Sequence, residues 1–199
     1  MLKVHAMALG DFQTNCYIIH DEASKGCCVI DPGYEPDTVL DAVDALGLQI
    51  EAILLTHGHF DHVGGVKQIA ADTDCRVFLN TADCAMPPMM TNGTLYYTNP
   101  YQGGETLELA GLKIDVMATP GHTPGSVCLF CEDHIFSGDT LFACSCGRTD
   151  LPGGDTQQLR QSLARLNSLQ GNYFIHPGHG SSTCLRDEKK HNPYLGGRL

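Results

Sequence analysis

The segment Thr56–His62 constrains this chain more than any other part of its sequence. It reads Thr-His-Gly-His-Phe-Asp-His, so three imidazoles and one carboxylate lie within six consecutive residues. The apolar run Glu51–Leu55 predicts a strand buried on both faces, and the apolar spacing from Asp61 to about Ala71 predicts a helix. Neutral imidazole and carboxylate are suitable ligands for zinc, iron or manganese. The junction of strand and helix is therefore predicted to bind metal rather than to be a loop of solvated histidines.

Three further loops each supply one side chain of the same type. His122 lies in the turn Thr119–Gly125, Asp139 follows a predicted strand, and His179 lies in the segment Pro177–Gly180. A single histidine in a turn rich in proline and glycine is most often only a solvated turn residue. Four ligand-bearing loops at strand ends are explained more simply by one shared metal site.

Short apolar runs alternate with segments of helical spacing, which predicts an α/β fold. A helix opens at Glu35-Pro36-Asp37 and ends at Gly47, so the strands on either side of it are expected to be parallel. A third helix has Asp155 as its N-cap and Gln158 in the capping-box position. Met86–Gly104 shows no period and is predicted to be a long loop, which is either functional or mobile or else a plain surface excursion. The expected strands are residues 15–19, 26–30, 51–55, 76–79, 107–109, 112–117, 126–130, 134–137 and 173–175.

The charge and hydropathy of the chain exclude several classes of partner. The net charge is −11, with only 12 Lys and Arg against 23 Asp and Glu, which disfavours nucleic acid. No apolar run approaches the roughly 18 residues of a membrane helix, and Met1–His5 does not resemble a signal peptide. We therefore expect a single soluble domain over residues 1–199, located in the cytoplasm, with a small-molecule substrate and no membrane partner.

Ten cysteines are interpreted as free thiols in a reducing compartment. Cys128 and Cys131 have a spacing found in redox and zinc motifs, but strand alternation would point them to opposite faces. Cys144 and Cys146 follow the Asp139 loop, and we interpret them as inert as well.

The order and spacing of these loops resemble the metallo-β-lactamase superfamily. The resemblance runs from Asn15-Cys16-Tyr17 through Asp31-Pro32-Gly33 to Pro177–Gly180. Within the superfamily the chain is similar to the glyoxalase II-like thioesterases, and Gly147–Gly154 resembles a signature of their short, single-domain, hydroxyacylglutathione hydrolase-type branch. This resemblance implies an α/β fold of the αββα sandwich type, with metals at one edge of two facing sheets.

The same resemblance implies a role for each candidate ligand. It assigns one metal to His57, His59 and His122, a second metal to Asp61, His62 and His179, a bridging role to Asp139, and a supporting role to Asp31. The implied cofactors are two divalent ions, with zinc preferred over iron or manganese. Two such ions about 3.5–4 Å apart can share a water and generate hydroxide near neutral pH.

The ligand set is suited to hydrolysis, and the resemblance implies that the substrate is a small acyl thioester similar to S-lactoylglutathione. Asp61 would also orient the attacking water, and a thiolate with a pKa near 8.5 would leave with little acid assistance. Arg148 and Lys190 are candidate partners for a substrate carboxylate, although solvated surface bases are equally expected at those positions. The chain ends at Leu199, without the helical extension that supplies glutathione contacts in two-domain glyoxalase II, so we expect weaker glutathione binding.

Other functions remain open from the sequence. A persulfide dioxygenase-like oxidoreductase would use one iron, whereas His62 and His179 favour a complete second site and hence hydrolysis. Hydrolysis of another ester or of a lactone would use the same metals, and β-lactam hydrolysis is disfavoured because those enzymes are usually exported. A metal-stabilised interaction module would be expected to have lost ligands, and none is missing here.

Overall fold

The computed structural model describes residues 1–196. The N-terminal half contains, in chain order, β1 (Leu2–Leu9), β2 (Thr14–Asp21), β3 (Gly26–Ile30), α1 (Pro36–Ala45), β4 (Gln49–Leu54), α2 (Phe60–Val63), α3 (Val66–Thr73), β5 (Arg76–Asn80), a 3₁₀ turn (Thr81–Ala85), α4 (Pro88–Thr91) and β6 (Asn99–Tyr101). The C-terminal half contains β7 (Thr106–Leu109), β8 (Leu112–Ala118), β9 (Val127–Cys131), β10 (His134–Gly138), β11 (Leu141–Phe142), β12 (Ser145–Cys146), α5 (Thr156–Ser168), β13 (Phe174–Pro177), β14 (Thr183–Cys184) and α6 (Leu185–His191).

The strands form two six-stranded sheets and one small hairpin. The first sheet has the order β1-β2-β3-β4-β5-β6, and the second has the order β14-β13-β10-β9-β8-β7. β3 and β4 are parallel, as predicted for strands joined through α1. Gly47 follows the end of α1 with φ 67°, a left-handed conformation that a glycine adopts without strain. Within residues 1–196, β11 and β12 pair only with each other.

The helices and sheets are stacked in the order helix, sheet, sheet, helix. Three apolar layers lie between them and hold them together. Ala52 and Leu54 of β4 lie in the core between the two sheets, whereas Ile53 lies in a second layer beneath α1 and α3. A third layer packs α5 and α6 on the other sheet. Cys128 belongs to this third layer and Cys131 to the central core, so the two thiols point to opposite faces, as predicted. The α/β sandwich expected from the sequence is confirmed.

The predicted helix from Asp61 to about Ala71 is wrong in one respect, because the structure has two helices there, α2 and α3. The break lies at Gly64 and Gly65, where the chain runs against the loop before α1. The Gly65 N–H donates to the Pro32 carbonyl at 2.8 Å, and a Cβ on Gly64 would lie 2.1 Å from the Gly33 oxygen. This close backbone contact requires glycine and ends the helical spacing.

Other short elements were not predicted. The segment Met86–Gly104 contains α4 and the edge strand β6, and the strand β14 follows what was expected to be the last strand. The hairpin of β11 and β12 and the helix α6 were also missed. Across residues 1–196, no helix has the length and apolar character needed to cross a membrane.

Candidate metal centre

The seven predicted ligands come from both sheets and meet at one edge of the sandwich. His57 follows β4, His59 is the residue before α2, and Asp61 and His62 belong to α2. From the second sheet, the loop between β8 and β9 supplies His122, and the residues after β10 and β13 are Asp139 and His179. Gly121, Gly138 and Gly180, each next to a ligand of the second sheet, have positive φ, a conformation that glycine adopts without strain.

Three histidines form the first cluster. Nε2 of His57 lies 3.1 Å from Nδ1 of His59, and Nε2 of His122 lies 2.9 Å from the same Nδ1 atom. All three residues are buried. A tetrahedral ion with bonds of about 2.1 Å would place its nitrogen ligands about 3.4 Å apart, so a small outward movement of the rings would admit one.

The second cluster contains Asp61, His62 and His179. Oδ2 of Asp61 lies 3.2 Å from Nε2 of His179 and 3.8 Å from Nε2 of His62. Asp139 lies between the clusters. Its Oδ2 is 3.4 Å from Nε2 of His122 and 3.7 Å from Nε2 of His179, and its Oδ1 is 3.5 Å from Nε2 of His62. The Asp139 carboxylate therefore faces ligands of both clusters.

Unsatisfied polar atoms show that this group of residues suits a cation. Nε2 of His62 and Oδ1 of Asp139 are buried and have no hydrogen-bond partner among the described residues. Leaving such atoms unpaired costs about 1–3 kcal/mol each. A Cβ on Gly178 would lie 2.2 Å from Oδ1 of Asp139, so only glycine leaves room for the carboxylate. A divalent ion would satisfy the two unpaired atoms.

Hydrogen bonds behind the clusters orient the rings. Nδ1 of His62 lies 2.9 Å from Oδ2 of Asp31, which can only accept when ionised. The hydroxyl of Thr56 donates to the same carboxylate at 2.5 Å and can accept from Nδ1 of His57 at 3.1 Å. In the neutral form that these partners favour, both rings carry the proton on Nδ1, and Nε2 faces the site. This is how outer partners commonly support histidine ligands, and it gives Asp31 the supporting position expected from the resemblance.

The other histidines follow the same scheme with one exception. Nδ1 of His122 lies 2.8 Å from the Arg148 carbonyl, and Nδ1 of His179 lies 3.1 Å from the Phe12 carbonyl. In His59 the roles are reversed, because Nδ1 faces the cluster and Nε2 has no hydrogen-bond partner within residues 1–196.

The two clusters differ in protonation. Burial and the neighbouring rings lower the pKa of His57 and bring the pKa of His59 to about 4, so both rings are neutral at pH 7. Burial also acts to lower the pKa of His62, but Asp31 and Asp139 raise it above its ordinary value. Burial opposes ionisation of Asp139, yet the nearby imidazoles lower its pKa. An ion entering the second cluster would therefore displace a proton.

Asp83 is a supporting residue that the sequence did not reveal. Its buried carboxylate accepts hydrogen bonds from the Gly58 N–H at 2.7 Å, the Gly125 N–H at 2.6 Å and the Thr123 hydroxyl at 3.0 Å. It thereby ties the His57–His62 segment to the loop that carries His122. No motif surrounds Asp83, because its partners lie far away in the sequence.

An open cleft of about 390 Å³ adjoins the clusters. Its wall is largely apolar and includes Phe12, Phe60, Met90, Phe142 and Leu151. Ser145, Cys146 and Arg148 complete the wall beside the predicted ligands.

The two candidate substrate contacts have different positions. Arg148 lines the cleft as expected, but its guanidinium makes two hydrogen bonds of 2.7 Å to Asp150. Lys190 is exposed on α6 and is not among the residues that line the cleft, so we do not retain it as a substrate contact.

The two cysteines after the Asp139 loop also differ in position. Cys146 lines the cleft, whereas Cys144 is exposed. Burial raises the pKa of the Cys146 thiol to about 11, so it stays protonated at neutral pH.

The fold and the histidine-aspartate site define a metallohydrolase of known architecture. A family model of the metallo-beta-lactamase superfamily matches residues 9–179, and the chain belongs to this superfamily. Membership and the geometry of the clusters together indicate a divalent-metal site.

Individual relatives resemble almost the whole chain. Hydroxyacylglutathione hydrolase GloC of Haemophilus influenzae is 32% identical, with 98% of each chain covered. The crystal structure of BLEG-1 B3 metallo-beta-lactamase superposes with a TM-score of 0.90 at 32% identity, covering 99% of this chain and 100% of the other. The crystal structure of TTHA1623 in a di-iron-bound form has a TM-score of 0.83 at 37% identity, with 96% of this chain and 100% of the other covered.

Proposed function

We propose that this protein is a binuclear metal-dependent hydrolase that cleaves a small acyl thioester, with S-lactoylglutathione as the first substrate to test. The observation that carries the proposal is the position of Asp139, whose carboxylate faces ligands of both clusters. A site for one ion would not need this carboxylate between two complete sets of ligands. The similarity to hydroxyacylglutathione hydrolase GloC supports the choice of a thioester.

The chain's own residues would hold the ions in a defined way. Two divalent ions, zinc first and iron or manganese as alternatives, would bind to His57, His59 and His122 and to Asp61, His62 and His179, with Asp139 between them. Bound there, the ions would supply Lewis acidity and a water whose pKa is close to 7. The di-iron form of TTHA1623 makes iron the main alternative to zinc.

Asp61 has a second role in this proposal. It lines the cleft, and the Thr14 hydroxyl donates to its Oδ2 at 3.3 Å, which fixes the direction of the carboxylate. A carboxylate held in this way can accept a hydrogen bond from the attacking water and orient it towards a carbonyl carbon. The leaving thiolate requires no acid residue because its pKa is only near 8.5. Cys146 is not needed as a nucleophile.

The cleft supports a small, partly apolar substrate. Five aromatic or aliphatic side chains line it, and they would contact the acyl group and shield it from bulk water. Arg148 is the basic side chain at the cleft, and a substrate carboxylate would compete for it with Asp150. We also propose that residues 1–199 act as one domain, since the two sheets share a single central core.

The test is a substrate panel assayed with protein whose metal content has been measured. The panel contains S-lactoylglutathione, the same acyl group on N-acetylcysteamine, a lactone, a β-lactam and glutathione persulfide. We expect thioester hydrolysis to be fastest in protein that contains two ions, and the variant Asp139→Ala to lose it.

Each alternative has its own result. Fully metallated protein without thioesterase activity would refute the proposal. Oxygen uptake with the persulfide and one iron per chain would identify an oxidoreductase instead. Faster hydrolysis of the β-lactam would align the protein with BLEG-1, the B3 metallo-beta-lactamase that it resembles.

A further inference from the structure

The short hairpin of β11 and β12 forms one wall of the cleft. Its four strand residues include Phe142, Ser145 and Cys146, and all three line the cleft. In the described part of the chain, the two strands pair with each other and with neither large sheet. An isolated two-stranded hairpin is only marginally stable in water. Contacts from elsewhere in the fold must therefore hold this wall in place.

A buried carboxylate on α6 supplies one of these contacts. Glu188 is only 2% exposed, although glutamate is rarely buried. Its Oε2 accepts from the Cys144 N–H at 2.8 Å, within the turn of the hairpin, and its Oε1 accepts from the Thr183 hydroxyl at 2.7 Å. Cys144 has a φ of 54°, so the turn is held in a left-handed conformation that is unfavourable for a residue with a side chain.

The residue after α6 supplies the second contact. Nδ2 of Asn192 lies 2.9 Å from the Ser145 carbonyl, 3.2 Å from the Phe142 carbonyl and 2.8 Å from Oε2 of Glu188. The Asn192 amide therefore connects both strands of the hairpin to the carboxylate. Asn192 is itself buried, with 4% of its surface exposed.

We propose that Glu188 and Asn192 are positioning residues that hold the β11–β12 hairpin and so set the shape and specificity of the substrate cleft. Neither residue lines the cleft itself, so both would act through the hairpin. A hairpin released from α6 would have to be ordered by the substrate each time it binds, which weakens binding without altering the metal ligands.

The hydrogen bonds of Glu188 and Asn192 can be kept or removed by single substitutions. Glu188→Gln keeps an acceptor for the Cys144 N–H and the Asn192 amide, and its new amide can donate to the Thr183 hydroxyl, so it should preserve the network. Glu188→Ala removes the acceptor. Asn192→Asp keeps the shape of the side chain but places an oxygen against two carbonyls and a carboxylate. Asp187→Ala is the control, because Asp187 is exposed in the same turn of α6.

The first measurement is alkylation of Cys146 by iodoacetamide at a fixed pH, followed by peptide mass mapping. Cys146 is half-buried, and the exposed Cys84, which lies outside the hairpin, serves as an internal reference. Release of the hairpin should accelerate alkylation of Cys146 on the order of tenfold in Glu188→Ala and Asn192→Asp, since local opening exposes the thiol. Glu188→Gln and Asp187→Ala should react at the wild-type rate. Folded Glu188→Ala and Asn192→Asp proteins with unchanged Cys146 alkylation would overturn the proposal.

The second measurement is the kinetic effect, and it rests on the proposed thioesterase function. We expect KM to rise roughly tenfold in Glu188→Ala and Asn192→Asp, as three side chains must be ordered on binding, while kcat and metal content stay near wild type. A fall in kcat with loss of metal would overturn the positioning role. If the wild type has no thioesterase activity, the proposed function fails, and alkylation still tests the role of α6. Should Asn192→Asp not fold, Asn192→Ala removes the same donor without adding charge.

Discussion

Oδ2 of Asp31 lies 2.9 Å from Nδ1 of His62, while Nε2 on the opposite side of that ring faces Asp61 and Asp139. The carboxylate thus selects the tautomer in which Nε2 is available to a metal. The same carboxylate also accepts from the N–H and the hydroxyl of Thr56, next to the first ligand. One buried acid therefore organises both clusters from behind.

We predict that Asp31→Ala weakens metal binding on the order of 10- to 100-fold, as removal of outer partners commonly does. The Thr56 groups would also lose their acceptor, which should destabilise the fold by about 1–3 kcal/mol. Competition with a metal chelator and denaturant unfolding measure the two effects. Asp44→Ala, an exposed change on α1, is the control. Wild-type metal affinity in Asp31→Ala would contradict this role.

Asp139 and His179 should differ in their effect on metal content. Asp139→Ala is expected to disturb both ions, because its carboxylate faces both clusters. His179→Ala should mainly deplete the ion of the second cluster, which contains that ring. Elemental analysis of the purified variants after reconstitution checks both expectations. Near-normal metal content and turnover in Asp139→Ala would show that the bridging assignment is wrong.

Metal removal should lower stability substantially. Each ion at about 1,000 times its Kd would contribute about 4 kcal/mol, which corresponds to a change in Tm of roughly 10 °C per ion for a chain of this size. Calorimetry of chelator-treated and zinc-reconstituted protein measures the difference, with added magnesium as a control.

Metal binding should also depend on pH. Because the pKa of His62 is raised when no metal is bound, the proton on that ring competes with metal. Metal affinity should therefore fall as the pH decreases, and a pH-independent affinity would contradict this protonation scheme.

Arg148 should matter only for substrates that carry a carboxylate. Its side chain is exposed and paired with Asp150, so its contribution is expected to be at most about tenfold in kcat/KM. Arg148→Ala should lower kcat/KM on S-lactoylglutathione but not on the N-acetylcysteamine thioester. Asp150→Asn should have the opposite effect, because it frees the guanidinium. Equal losses on both substrates would remove Arg148 from the binding site.

Sequence patterns predicted the helices and strands whose side chains are buried in a continuous apolar layer. The continuous apolar run in β4 and the leucine stripe of α5 were recognisable in the sequence, because their side chains are buried in apolar layers. The ligands were predictable as residues because histidine and aspartate are concentrated at strand ends. The distances between the ligand atoms, however, depend on how the two sheets pack together, which no local sequence pattern shows.

Features set by long-range contacts were not predictable. Asp83 has partners 25 and 42 residues away, so no local spacing marks it. β11 and β12 have two residues each, too few to show an alternation. The break at Gly64 arises from a backbone contact with Gly33, which only the folded chain creates.

Each metal cluster takes its ligands from both halves of the polypeptide. His57 and His59 follow strands of the first sheet and meet His122 of the second, and Asp61 and His62 meet His179 in the same way. An ion in either position would act as a cross-link between the two halves of the chain. Metal affinity and the packing of one sheet on the other are then thermodynamically linked. A substitution deep in the central core, far from any ligand, should lower metal affinity whenever it lets the sheets move apart.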